Sequence, residues 1–185
     1  MITLIGGVTH AGKTLLAQRL LEKFGFPYLS VDHLKMGLWR AGIGEFEPLD
    51  STEHIALQMW DVLKGMILTA HENRQNLIVE GIYLLPQYVR ELGFDGIISL
   101  HIGFSKKYID ENFRTKILEN RNAIEKRGNC GLIDKENFVS ENCKLKELCG
   151  LHGANFFEID GDYHLEMDKI VKWIESQTGQ KRERI

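Results

Sequence analysis

The run Gly7-Val8-Thr9-His10-Ala11-Gly12-Lys13-Thr14 sets two glycines apart by four residues and follows the second at once with an ammonium and a hydroxyl. Residue types at this spacing, G-x-x-x-x-G-K-[ST], suit the gripping of phosphate. Gly7 and Gly12 let the chain turn through backbone conformations closed to other residues, so main-chain N–H groups converge on phosphate oxygens. A helix starting just after Gly12 adds its N-terminal dipole. Lys13 brings a cation to the terminal phosphates, and the Thr14 hydroxyl is a ligand for Mg²⁺. Gly7, Thr9, His10, Ala11, Gly12, Lys13 and Thr14 are therefore the expected nucleotide-binding residues. His10, at a variable position, reads first as a spacer and second as a phosphate or substrate contact.

Two carboxylates stand where they could meet this cradle. Asp32 follows Tyr28-Leu29-Ser30-Val31, 19 residues after Lys13. That distance holds one helix and one return strand, which puts Lys13 and Asp32 at the same C-terminal sheet edge, where doubly wound sheets bind ligands. There Asp32 can accept a proton from an attacking hydroxyl or orient it, and it also reads as the N-cap of a helix at Leu34–Trp39. Glu80 ends the apolar run Asn76-Leu77-Ile78-Val79 and is followed by Gly81. It can hold Mg²⁺ through water or bind an acceptor hydroxyl, and Gly81 would let the acceptor approach the backbone. Between Lys35 and Glu47 an acceptor-side lid is expected, with Arg40 pairing an anionic acceptor and Trp39 or Phe46 packing against it.

The elements that must position these groups alternate between strand and helix patterns, which means an α/β fold with a mostly parallel sheet. Strands are expected at residues 1–5, 27–31, 76–79, 96–103 and 155–159. Helices are expected at 14–24, 34–39, from a Ser51 or Thr52 cap to 72, and at 87–92. Further helices should run from a Ser105 cap to 121, over 134–148 and over 163–177, with a frayed tail at 179–185. The third helix should turn Ile55, Met59, Val62, Leu63, Met66 and Ile67 to one side. The whole of 1–185 reads as a single domain.

Composition narrows the class. A chain of 185 residues that is 43% hydrophobic and 26% charged is that of an ordinary globular domain. A net charge of −3 supplies no basic field, so nucleic acid is not expected as a partner. The start, MITLIGG, has no cationic leader or cleavage site, and no apolar run nears the ~20 residues of a membrane span. A cytoplasmic protein is expected, with no membrane partner. Cys130, Cys143 and Cys149, odd in number and unpaired in spacing, are expected to be free thiols rather than disulfides or zinc ligands.

The phosphate cradle, the carboxylate after strand two and a cationic stretch late in the chain resemble the nucleoside monophosphate kinase-like group of P-loop kinases. The Asp32 placement is similar to that in shikimate kinase, gluconate kinase, chloramphenicol phosphotransferase and the zeta toxins. The strand ending Val79-Glu80-Gly81 resembles a Walker B strand, and a similar ending occurs in uridine kinase-like proteins. The resemblance implies a three-layer P-loop sandwich with helices on both faces of a five-stranded parallel sheet in the order 2-3-1-4-5, and a small lid at about 119–132. It implies that Asp32 acts on the acceptor hydroxyl and that lid arginines close over the transferring group. Arg114 and Arg121 share a helix face, and Lys126 and Arg127 follow; Arg121 and Arg127 are the catalytic candidates, Arg114 a substrate-binding one. Gly161 stands where adenine packs in this group.

The implied activity is transfer of the γ-phosphate of ATP, with Mg²⁺, to a hydroxyl of a small-molecule acceptor. A nucleoside or nucleotide kinase is the alternative. A non-catalytic nucleotide-dependent regulatory module is the third reading; the Asn/Thr-Lys-x-Asp and D-x-x-G sequences of GTPases are both missing. Acceptor identity and oligomeric state are not legible in the sequence.

Overall fold

A computed structural model describes residues 1–120 and 133–182. Arg121, Lys126, Arg127, Cys130 and most of the expected lid lie outside the described residues. Five strands, β1 (Ile2–Gly7), β2 (Tyr28–Ser30), β3 (Leu77–Glu80), β4 (Ile97–Phe104) and β5 (Phe156–Ile159), form one parallel sheet in the order β2-β3-β1-β4-β5. The order is the one implied by the resemblance. β1 runs two residues further than its apolar stretch, because Gly6 and Gly7 keep pairing with His101 and Ile102.

Seven α-helices connect the strands: α1 (Lys13–Phe24), α2 (Val31–Arg40), α3 (Thr52–Glu72), α4 (Pro86–Glu91), α5 (Lys106–Asn112), α6 (Lys135–His152) and α7 (Tyr163–Arg182). Alternate side chains of the strands feed two cores. Ile5, Ile78, Leu100 and Ile102 pack with α1, α5, α6 and α7 on one face. Ile2, Leu4 and Val79 pack with α3 and α4 on the other. The sandwich thus has three layers, and the strand ends that carry the candidate residues come together at one edge.

Local chemistry explains most boundaries. Ser51, Ser105 and Asp134 cap α3, α5 and α6 by accepting from the N–H of His54, Tyr108 and Asn137. The structure departs from the sequence reading at four places. The N-cap of α2 is Ser30, and Asp32 sits inside the first turn. The expected long helix after Ser105 ends at Asn112 and continues as a π-helical turn, Phe113–Leu118, which carries Arg114. Val62 and Met66 of α3 are 40% and 39% exposed, and Ala56, Trp60 and Ala70 fill the buried face in their place. α7 runs on through Arg182 rather than fraying at Gly179.

Candidate active site

Gly12 holds φ 85° and Gly7 φ 143°, both in territory that favours glycine, so the loop between them closes as the spacing requires. Neither position has room for a side chain. A Cβ on Gly7 would stand 2.4 Å from the Ile102 carbonyl oxygen, and one on Gly12 would stand 1.8 Å from the Tyr163 hydroxyl. The loop is anchored from beneath: the Val8 N–H donates to Ile102 and Ala11 is fully buried. His10 takes φ 60°, which gives the spacer position a conformational task. Lys13 opens α1 with only 7% exposure, and its Nζ donates to the Val8 carbonyl at 2.7 Å, which folds the ammonium back over the loop.

Beside this cradle lies Glu80, the last residue of β3. It is paired in register with Ile5 on one side and Ser30 on the other, and is 2% exposed. Burial pushes its carboxyl above the usual carboxylate range. The Lys13 ammonium opposes that rise, as do the Ser30 and Thr14 hydroxyls, while the charge of Asp32 adds to it. Those neighbours bring Lys13, Thr14, Ser30, Asp32 and Glu80 into one constellation. The hydroxyls are near enough to favour the anion, yet Oε1 of Glu80 is buried without a hydrogen-bond partner, and so is Oγ of Ser30. A buried carboxylate oxygen left open beside a threonine hydroxyl fits a hard cation, which takes oxygen ligands.

Asp32 is half-buried in the first turn of α2, where the helix dipole favours its negative charge. One turn on, Nζ of Lys35 stands 3.8 Å from its Oδ1. Gly81 does not face open space: a Cβ there would meet Val31, which is fully buried against it. Its missing side chain lets the start of α2 pack onto the end of β3.

Other candidates lie apart from this group. Arg40 is exposed at the far end of α2, about 12 Å along the helix axis from Asp32. Phe46 is buried in the core, while Trp39 is partly exposed and its Nε1 donates to Glu47 at 3.2 Å. Arg114 is exposed on the π-helical turn. Gly161 lies between β5 and α7, in a turn closed where Asp162 accepts the Leu165 N–H at 2.9 Å and where the Ser105 hydroxyl donates to Asp160.

Three residues of the site carried no clear sequence signal. Tyr163, the first residue of α7, rests its hydroxyl on Gly12, and burial pushes that phenol up to about 12. Tyr83 is 4% exposed in the turn after β3, and Lys35 donates to its hydroxyl. Only Lys35 could have been noticed, as the residue three places after Asp32 on the same helix face. Cys149 is buried, with its thiol also pushed up to about 12, and Cys143 is exposed. Among the described residues no group of three or more His, Cys, Asp and Glu could hold a metal, and no helix is long and apolar enough to cross a membrane.

No family model matches the chain, and no curated protein matches it in sequence. Solved structures do. A sugar kinase from Janibacter sp. HTCC2649 superposes with a TM-score of 0.57 at 15% identity, covering 94% of each chain. Shikimate kinase from Aquifex aeolicus superposes with a TM-score of 0.55 at 16% identity, covering 96% of this chain and 98% of the other. Deoxyadenosine kinase from M. mycoides gives 0.52 at 16% identity, covering 95% of this chain and 100% of the other.

Proposed function

We propose that this chain, which has the fold of the P-loop kinases, is an ATP-dependent phosphotransferase that moves the γ-phosphate of ATP to a hydroxyl of a small molecule. The observation that carries the reading is the buried Glu80 carboxylate, open at Oε1 and set among Lys13, Thr14, Ser30 and Asp32. A fold alone would not need two carboxylates and an ammonium on one sheet edge, two of them nearly sealed from water. Burying such groups costs stability unless a ligand completes them.

The loop amides and Lys13 hold the terminal phosphates, with the ammonium leaving its Val8 carbonyl to do so. Thr14 and Glu80 hold Mg²⁺, Glu80 through water. When bound, the ion offsets negative charge on the phosphates. Asp32 takes up the proton of the acceptor hydroxyl or fixes that hydroxyl in line with the phosphate. Arg114, Arg121 and Arg127 are assigned to covering the transferring group, where positive charge favours the transition state and closure keeps water out. Gly161 is assigned to the nucleobase.

The test is ADP release and product mass with Mg²⁺ and ATP across alcohols, sugars, hydroxy acids, nucleosides and nucleoside monophosphates. Acceptor-stimulated ADP release that disappears in Asp32→Asn supports the reading. Turnover of nucleosides or their monophosphates alone would make the protein a nucleoside or nucleotide kinase. Tight MgATP binding with no acceptor-stimulated turnover would make it a regulatory module and sink the proposal.

A further inference from the structure

Lysines on the surface of this protein bind carboxylates closely. Nζ of Lys23 stands 2.7 Å from Glu175, that of Lys146 is 2.8 Å from Glu158, and that of Lys135 is 2.8 Å from Asp110. Lys35 behaves differently. Its side chain is 12% exposed, the most buried cation among the described ion pairs. Yet none of its contacts is short: it donates to the Tyr83 hydroxyl at 3.1 Å and to the Pro48 carbonyl at 3.4 Å, and lies 3.8 Å from Oδ1 of Asp32. Charge-assisted bonds close to about 2.7–2.9 Å where geometry allows. A largely desolvated ammonium held by one neutral hydroxyl and one carbonyl, and kept a full ångström beyond bonding distance from the nearest acid, is incompletely neutralised.

Its supports are rigid. Tyr83 is 4% exposed and its ring lies 5.4 Å below Nζ. Pro48 belongs to the segment after α2, which is fastened by buried Phe46 and by the bond from Glu45 N to Gln58. Lys35 therefore stays beside the acceptor carboxylate without being consumed by it.

We propose that the acceptor is an anion, and that Lys35 is the specificity-determining residue that receives its carboxylate or phosphate group while Asp32 engages its hydroxyl. The inference rests on the acceptor-side role given to Asp32 above. Charge balance follows: Lys13 answers the nucleotide phosphates, Mg²⁺ answers Glu80, and the acceptor's anionic group completes Lys35. The 3.8 Å gap between Lys35 and Asp32 also limits size, because the reacting hydroxyl and the anionic group must lie within about 9 Å of one another. That describes a hydroxy acid or a sugar phosphate and excludes a long spacer.

The experiment is calorimetric titration of the full chain, held with Mg²⁺ and a non-hydrolysable ATP analogue. The probes are gluconate, glycerate, glucose 6-phosphate and glycerol 3-phosphate, each beside its uncharged counterpart glucitol, glucose or glycerol. Wild type is expected to bind at least one acid about 10–100-fold more tightly than its neutral counterpart. Lys35→Met should erase that preference while binding the nucleotide analogue normally, and Lys35→Arg should keep most of it. Preference for the carboxylates or for the phosphates identifies the group. The proposal is overturned if neutral compounds bind as well as acids, if the preference survives in Lys35→Met, or if no acid binds. A protein that shows the Lys35-dependent preference but never releases ADP upholds this inference and refutes the transferase reading, so the two fail separately.

Discussion

Replacing Glu80 by glutamine should stabilise the empty protein and cripple the loaded one. The glutamate ends β3 with 2% exposure and its Oε1 has no partner. Burial dominates its titration and raises it above the ordinary value of 4.5, with Lys13 only partly compensating. Below pH 4.5 the group is protonated in folded and unfolded chains alike, so Glu and Gln are equivalent there. As pH rises through the elevated folded value, the native state alone bears the cost of a buried anion, and that part of its stability is lost. An unsatisfied buried polar group costs about 1–3 kcal/mol, and the Lys13 attraction places this one near the lower end. Glu80→Gln should therefore gain about 1 kcal/mol at pH 8, roughly 2–4 °C in melting temperature for a chain of this size. The gain should vanish by pH 4. Saturating MgATP should reverse the ranking, because the carboxylate is then completed by the cation and the amide is not. Calorimetric melting of both proteins at the two pH values, with and without MgATP, decides it. If the empty variant melts below wild type at pH 8, Glu80 is a structural ion-pair partner of Lys13 and its place in a metal site is refuted.

Lys13→Ala should abolish turnover and weaken MgATP binding by at least about 100-fold, read by titration calorimetry. Asp32→Asn should bind MgATP as wild type does while losing about 100- to 10,000-fold in acceptor phosphorylation; a normal rate would end its assignment as base. Gly12→Ala should fail both to bind nucleotide and to keep its melting temperature, since the new Cβ meets the Tyr163 hydroxyl at 1.8 Å and takes on left-handed strain of about 1–2 kcal/mol. Gly161→Ala meets nothing closer than Glu166 Oε1 at 3.8 Å, so the fold should be untouched; weaker ATP binding at an unchanged melting temperature would place the nucleobase there.

What the sequence alone determined is what neighbouring residues impose on their own backbone. Eight contiguous residues specify the phosphate cradle, because glycine conformations and the start of α1 are local matters. The strand-helix alternation specified the parallel sheet, and each apolar run ending in an acid put Asp32 and Glu80 at the edge of that sheet. Tertiary structure decided the rest. On α3 apolar side chains lie all around the helix, and only its docking on β1 chose Ala56, Trp60 and Ala70 for the core over Val62 and Met66. Val31 fills the space at Gly81, Tyr163 covers Gly12, and Tyr83 holds Lys35. Each of these contacts joins elements distant in the chain, and sheet order and register, not residue spacing, bring them together. The elevated titration of Glu80 belongs with them, because desolvation is a property of the packed surroundings and not of the residue.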